Sequence, residues 1–130
     1  HFATDVHISR SLMLNHEGFV AECSADNFFI VRNGRLHTPP TASGALKGVT
    51  RDLIIRLARE DGIDIQQNCM TRHDAYIADE AFLTGTGAEV MPVKTIDGRP
   101  IGTGKPGPVT VKLIGKFRQY VDEETGKDRS

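Results

Sequence analysis

Residues 27–40 read NFFIVRNGRLHTPP, and this stretch decides the fold class. Asn27 to Arg32 is β-branched and aromatic, the composition of a strand with at least one buried face. Asn33-Gly34 follows directly. Asn and Gly accept two successive positive φ angles, as a type I′ turn demands. A return strand over Arg35 to Thr38 is therefore expected, and Pro39-Pro40 ends it because proline has no N–H to give to a ladder. A hairpin so clearly marked commits the domain to a β-sheet.

Outward from the hairpin, Thr41 to Gly48 is a loop bounded by Gly44 and Gly48. Thr50 suits the N-cap of RDLIIRLARED (51–61), where Leu53, Ile54, Leu57 and Ala58 form a helical stripe. Asp52 favours the first turn and Gly62 supplies the stop. Ile63 to Gln66 alternates like a half-buried strand. Ala81 to Thr84 is a short apolar strand breaking at Gly85; Glu89 to Ile96 is another, ended by the Asp97-Gly98 turn. Val109 to Tyr120 is the expected last helix, with Val111, Leu113, Ile114 and Phe117 available for packing. In the other direction, residues 1–15 have no clean period and read as irregular or a short strand. Interleaved strands and helices give an α/β (α+β) domain. Its expected organisation is an irregular lead-in over 1–13, the folded domain over 14–122 and a solvated tail over 123–130.

Composition narrows the function. The chain has 130 residues, 38% hydrophobic and 25% charged, which is one globular domain and excludes wholesale disorder. Sixteen Lys and Arg against seventeen Asp and Glu leave a net charge of −1, with no basic surplus for nucleic acid or an anionic membrane. No apolar run approaches the roughly 18 residues of a membrane span. Two cysteines, Cys23 and Cys69, make no disulfide framework, which points to a reducing cytoplasm. Neither they nor His1, His7, His16, His37 and His73 show metal-ligand spacing, so no metal is expected. Gly98 to Lys105 imitates a P-loop, but five residues separate Gly98 from Gly104, and Pro106 stands where Ser or Thr should hold Mg²⁺.

Two segments suit anions. GALKGVT (44–50) runs straight into a helix start, where free N–H groups and the positive dipole end favour a phosphate. LTGTGA (83–88) is a strand breaking into a small-residue turn with two hydroxyls, able to bring backbone N–H groups close to an oxyanion. Either alone is more often a simple cap or tight turn. Glu22, flanked by Val20, Ala21 and Cys23, reads either as a buried carboxylate in need of a cationic partner or as an edge-strand residue facing water. Asp79-Glu80 reads as a connection into a strand rather than a catalytic pair.

Four blocks in order, GFVAECSADNFFIVRNGRLHTPP, GALKGVTRDLIIRLA, ADEAFLTGTGAEVMPV and IDGRPIGTGKPGPVT, resemble the C-terminal domain of class IV (fold-type IV) aminotransferases. The last block is closest to branched-chain amino acid aminotransferases; D-amino acid aminotransferases and aminodeoxychorismate lyases share the fold and stay open as alternatives, as does a catalytically silent binding domain. The resemblance implies the pseudo-barrel C-terminal domain of the D-amino acid aminotransferase-like fold and pyridoxal 5′-phosphate as cofactor. It implies amino acid and 2-oxo acid substrates, an N-terminal domain outside this sequence, and a homo-oligomer. By the same likeness Glu22 pairs with the pyridinium nitrogen, Asn27 shapes the wall beside it, and Leu46 packs on the ring. Val49 and Thr50 N–H groups and the Thr86 hydroxyl hold the phosphate, and Gly87 and Ala88 N–H groups take the substrate carboxylate. No lysine occurs among residues 1–21, so the Schiff-base lysine expected upstream of Glu22 is absent from this sequence and the chain alone is expected to be inactive.

Overall fold

The hairpin forms where it is expected. Strands β3 (Asn27–Arg32) and β4 (Arg35–Thr38) pair antiparallel with Ile30 opposite His37, and Asn33 and Gly34 take φ of 53° and 75° between them. This computed structural model describes residues 6–8, 19–20, 27–40, 49–85 and 89–128. Around the hairpin stand β1 (Val6–Ile8), β2 (Phe19–Val20), α1 (Val49–Glu60), β5 (Ile65–Gln67), β6 (Met70–Thr71) and α2 (Arg72–Tyr76). Then follow β7 (Glu80–Gly85), β8 (Glu89–Ile96), β9 (Arg99–Pro100) and α3 (Pro108–Asp128).

Among the described residues a mixed seven-stranded sheet runs in the order β1-β8-β7-β3-β4-β5, with β9 paired to β8. Strand β7 is antiparallel to both β3 and β8, while β5 is parallel to β4 and β1 parallel to β8. Parallel neighbours need a crossover, and α1 supplies it between β4 and β5. A separate small ladder joins β2 to β6.

Alternation along the strands builds two cores. Phe28, Ile30, Ala81, Leu83, Val93 and Ile96 fill one face. Phe29, Val31 and Phe82 fill the other, against Ile54, Leu57 and Ala58 of α1 and Leu113 and Phe117 of α3. Phe29 and Phe82 stack with centroids 4.9 Å apart, a pair contributing ~0.5–1.5 kcal/mol beyond its buried area. Asp61, just after α1, binds Lys112 Nζ at 2.6 Å and Lys116 Nζ at 3.2 Å, tying α1 to α3.

Some boundaries differ from the sequence reading. Helix α1 begins at Val49, so Thr50 lies inside its first turn and is not the N-cap. Gly62 does stop the helix, with φ of 76°, and both cap bonds form: Gly62 N–H to the Arg59 carbonyl and Ile63 N–H to the Ala58 carbonyl. Because Ile63 serves that cap, the strand expected over 63–66 starts at Ile65. Val111 is 46% exposed; Val109 and Val121 pack against the core instead. Helix α3 continues to Asp128, past Tyr120, and carries exposed Asp122, Glu123 and Glu124 into the segment expected as a tail. Strand β1 lies in the segment read as irregular or a short strand.

The amino end of α3 explains the glycines of the last sequence block. Pro108 is the first helical residue, where its missing N–H costs nothing. Glu80, reaching across from β7, accepts from Thr110 N–H at 2.7 Å and Val109 N–H at 3.3 Å. A side chain on Gly107 would occupy the space of the Glu80 carboxyl group, and one on Gly102, at φ 59°, would collide with the Asp79 carbonyl. Asp79 in turn accepts the Asn33 N–H at 2.9 Å. Asp79-Glu80 is thus a structural connection, as the sequence implied.

Candidate functional site

Strand register gathers several elements at one end of the sheet. Asn27, which opens β3, is the partner of Thr84 near the end of β7, and Gly85 pairs with Glu89 across the 86–88 link. Strand β4 runs back along β3 and ends at Thr38, whose buried hydroxyl donates to the Phe28 carbonyl at 2.8 Å. The chain then enters α1 beyond the carboxyl end of β4. The carboxyl ends of β4 and β7, the amino end of β3 and the start of α1 therefore share one rim.

Helix α1 presents its amino end there. The first four N–H groups of any helix lack intrahelical acceptors, so the Val49 and Thr50 N–H groups stand as donors without a partner inside the helix, at the positive end of the dipole. Arg51 anchors this turn. It is 3% exposed, and its Nη2 donates to the Pro39 carbonyl at 3.0 Å and to Gln67 Oε1 at 3.2 Å. Asp52 lies 3.6 Å from Nη1 but is half exposed, and Arg51 Nε has no partner among the described residues. Burial lowers the Arg51 guanidinium below its ordinary pKa, with Asp52 partly offsetting the shift. Thr84, fully buried, also has a hydroxyl without a partner among the described residues.

Of the residues singled out in the sequence, Asn27, Val49 and Thr50 fall on this rim. Glu22, Leu46, Thr86, Gly87 and Ala88 lie outside the described residues. Sequence reading missed Arg51, whose signal was a cation in the first turn of a helix, against the dipole. It noted a Thr84 hydroxyl in LTGTGA but gave it no role. A hollow of about 410 Å³ lies instead at the far end of β3, lined by Val31, Gly34, Asp79, Glu80 and Lys105 among others. Its two carboxylates are already engaged as turn and helix caps.

Compared with known families, residues 2–96 match the one described as amino-transferase class IV. The chain belongs to this family. It is 47% identical over 117 residues to the branched-chain-amino-acid aminotransferase of Pseudomonas aeruginosa, covering 90% of this chain and 37% of that protein. Among solved structures, the branched-chain amino acid aminotransferase of Thermobaculum terrenum in its PLP form superposes with a TM-score of 0.80 at 45% identity, over 83% of this chain and 36% of that one. Another branched-chain amino acid aminotransferase, from T.th. and complexed with N-(5′-phosphopyridoxyl)-L-glutamate, gives 0.79 at 46% identity, over 83% and 36%. The chain thus spans a little over a third of the length of the relatives it matches, and corresponds to the C-terminal part of the class IV fold.

Proposed function

We propose that this chain is the cofactor-binding C-terminal part of a pyridoxal 5′-phosphate-dependent branched-chain amino acid aminotransferase, which exchanges the amino group between Val, Leu or Ile and 2-oxoglutarate. One observation carries the reading: the rim where α1, β3 and β7 converge belongs to a chain 47% identical to a named branched-chain aminotransferase. The residues fit a phosphate-bearing group. A 12-residue helix directs N–H groups that have no intrahelical acceptor at the rim, and Arg51 Nε and Thr84 Oγ1 are buried there without partners among the described residues.

In this reading Val49 and Thr50 N–H groups and the Thr86 hydroxyl orient the phosphate, as a helix amino end does for anions. Leu46 excludes water from one ring face. Glu22 holds a proton at the ring nitrogen, and Asn27 shapes the wall beside it. Gly87 and Ala88 bind the substrate carboxylate through backbone N–H groups, so the anions of cofactor and substrate have separate cradles. The bound cofactor supplies an electron sink for the pair left at the substrate Cα. The lysine that carries the cofactor comes from outside this sequence, and the complete protein is a cytoplasmic homo-oligomer. The test is amino transfer by the complete protein with L-leucine and D-alanine as donors. Activity with L-leucine is expected; activity confined to D-alanine overturns the branched-chain assignment.

A further inference from the structure

Arg51 is an unusual choice for its place. Cations in the first turn oppose the helix dipole, and a buried guanidinium is costly unless its charge is met. Here the side chain is 4% exposed, its two hydrogen bonds go to neutral oxygens of Pro39 and Gln67, and its carboxylate neighbour Asp52 stands 3.6 Å away and half in water. Helical side chains lean toward the amino end of their helix, and the bond to Pro39 shows that Arg51 does so. The guanidinium therefore lies against Pro39 and Gln67, beyond the carboxyl ends of β4 and β5, at the end of the sheet where α1 starts with Val49 and Thr50. Nε remains as a buried donor without a partner among the described residues.

We propose that Arg51 is a positioning residue for the phosphate at the amino end of α1: it ties the loop entry at Pro39 to the helix start and supplies the fixed positive charge that the bound anion neutralises. This rests on the cofactor reading above, because it needs an anion at that rim. It accounts for both oddities together, since a dianion beside the first turn reverses the unfavourable sign of a cation there. The neutral acceptors hold the fork in place without cancelling its charge.

The experiment uses the complete protein uniformly labelled with ¹⁵N and titrates the cofactor-free form with inorganic phosphate, following the Arg51 Nε–H and the Val49 and Thr50 amides. All three signals are expected to move with one binding curve. Arg51→Met should weaken inorganic phosphate and pyridoxal 5′-phosphate at least tenfold while leaving pyridoxal, which lacks the phosphate, unchanged. Arg51→Lys, which keeps the charge, and Gln67→Met, which removes one neutral acceptor, should each stay within threefold of the parent. If the two amides move but Arg51 Nε–H does not, or if Arg51→Met and Arg51→Lys lose phosphate affinity equally, the proposal is wrong and the cofactor reading stands. If neither amide responds to phosphate, both fall. The Nε–H titration on the unmodified protein decides even where Arg51→Met does not fold.

Discussion

Glu80→Ala should release the amino end of α3, and Glu80→Gln should do so by less than half as much. The carboxylate is 6% exposed and takes the Thr110 N–H at 2.7 Å and the Val109 N–H at 3.3 Å. A hydrogen bond to a charged acceptor contributes ~1.5–3 kcal/mol, and an anion at a helix amino end adds ~0.3–1 kcal/mol. Alanine removes both and strands a buried N–H, for a total of ~3 kcal/mol. Glutamine can keep one oxygen on Thr110 and loses the charge and the longer bond, ~1 kcal/mol. At roughly 4 °C per kcal/mol for a chain of this size, the midpoints should fall by about 12 and 4 °C. Urea and thermal unfolding measure the global loss. Exchange of the Thr110 amide proton, expected on the order of a hundredfold faster in the alanine variant, locates it. Equal stability of the two variants to within about 0.5 kcal/mol would refute the idea that the carboxylate caps this helix.

Two further outcomes follow from the same packing. Gly98 and Gly102 both have positive φ, but only at Gly102 would a methyl group meet backbone, the Asp79 carbonyl. Gly98→Ala should therefore cost ~1–2 kcal/mol of strain alone, and Gly102→Ala a further ~1–3 kcal/mol, read from denaturation midpoints. The Lys112 ammonium, helped by Lys116, holds the Asp61 carboxyl below its ordinary pKa. A depressed carboxyl stabilises above its unfolded pKa of ~4 and loses that contribution as pH falls through the folded value. Asp61→Asn should thus flatten the stability profile below about pH 4, and an unchanged acid limb counts against the Lys112–Asp61 tie.

What was legible in the sequence is what is local. The Asn33-Gly34 turn, the bounds of β8 and the Gly62 cap depend on a few adjacent residues whose φ preferences leave little choice. The order of the sheet was not legible, because β1 beside β8 is set by pairing between strands far apart along the chain. Nor was the reason for Gly102 and Gly107: each makes room for a group of the Asp79-Glu80 pair, more than 20 residues away in sequence. At the rim, the helix start at Val49–Thr50 was readable as an anion cradle from its glycine-bounded loop. The individual roles of Glu22, Asn27, Leu46, Thr86, Gly87 and Ala88 came from family likeness, since none of these residue types announces a cofactor by itself. Arg51 went unnoticed because its meaning depends on burial, which no single residue type reveals.

The pairing of β1 with β8 sets a timetable for synthesis. Val6 has Val93 as its partner, 87 positions later. At roughly 5–20 residues per second, a ribosome exposes β1 for on the order of 4–17 s before β8 has been made. The β3–β4 hairpin and the β4–α1–β5 crossover can form meanwhile, since their partners lie close in sequence. The nascent chain must therefore keep one hydrogen-bonding edge unpaired until late, and in that interval the β1 segment is open to the wrong strand. Substitutions in β8 that slow its arrival or weaken its register should raise aggregation during expression more than they lower the stability of the finished fold.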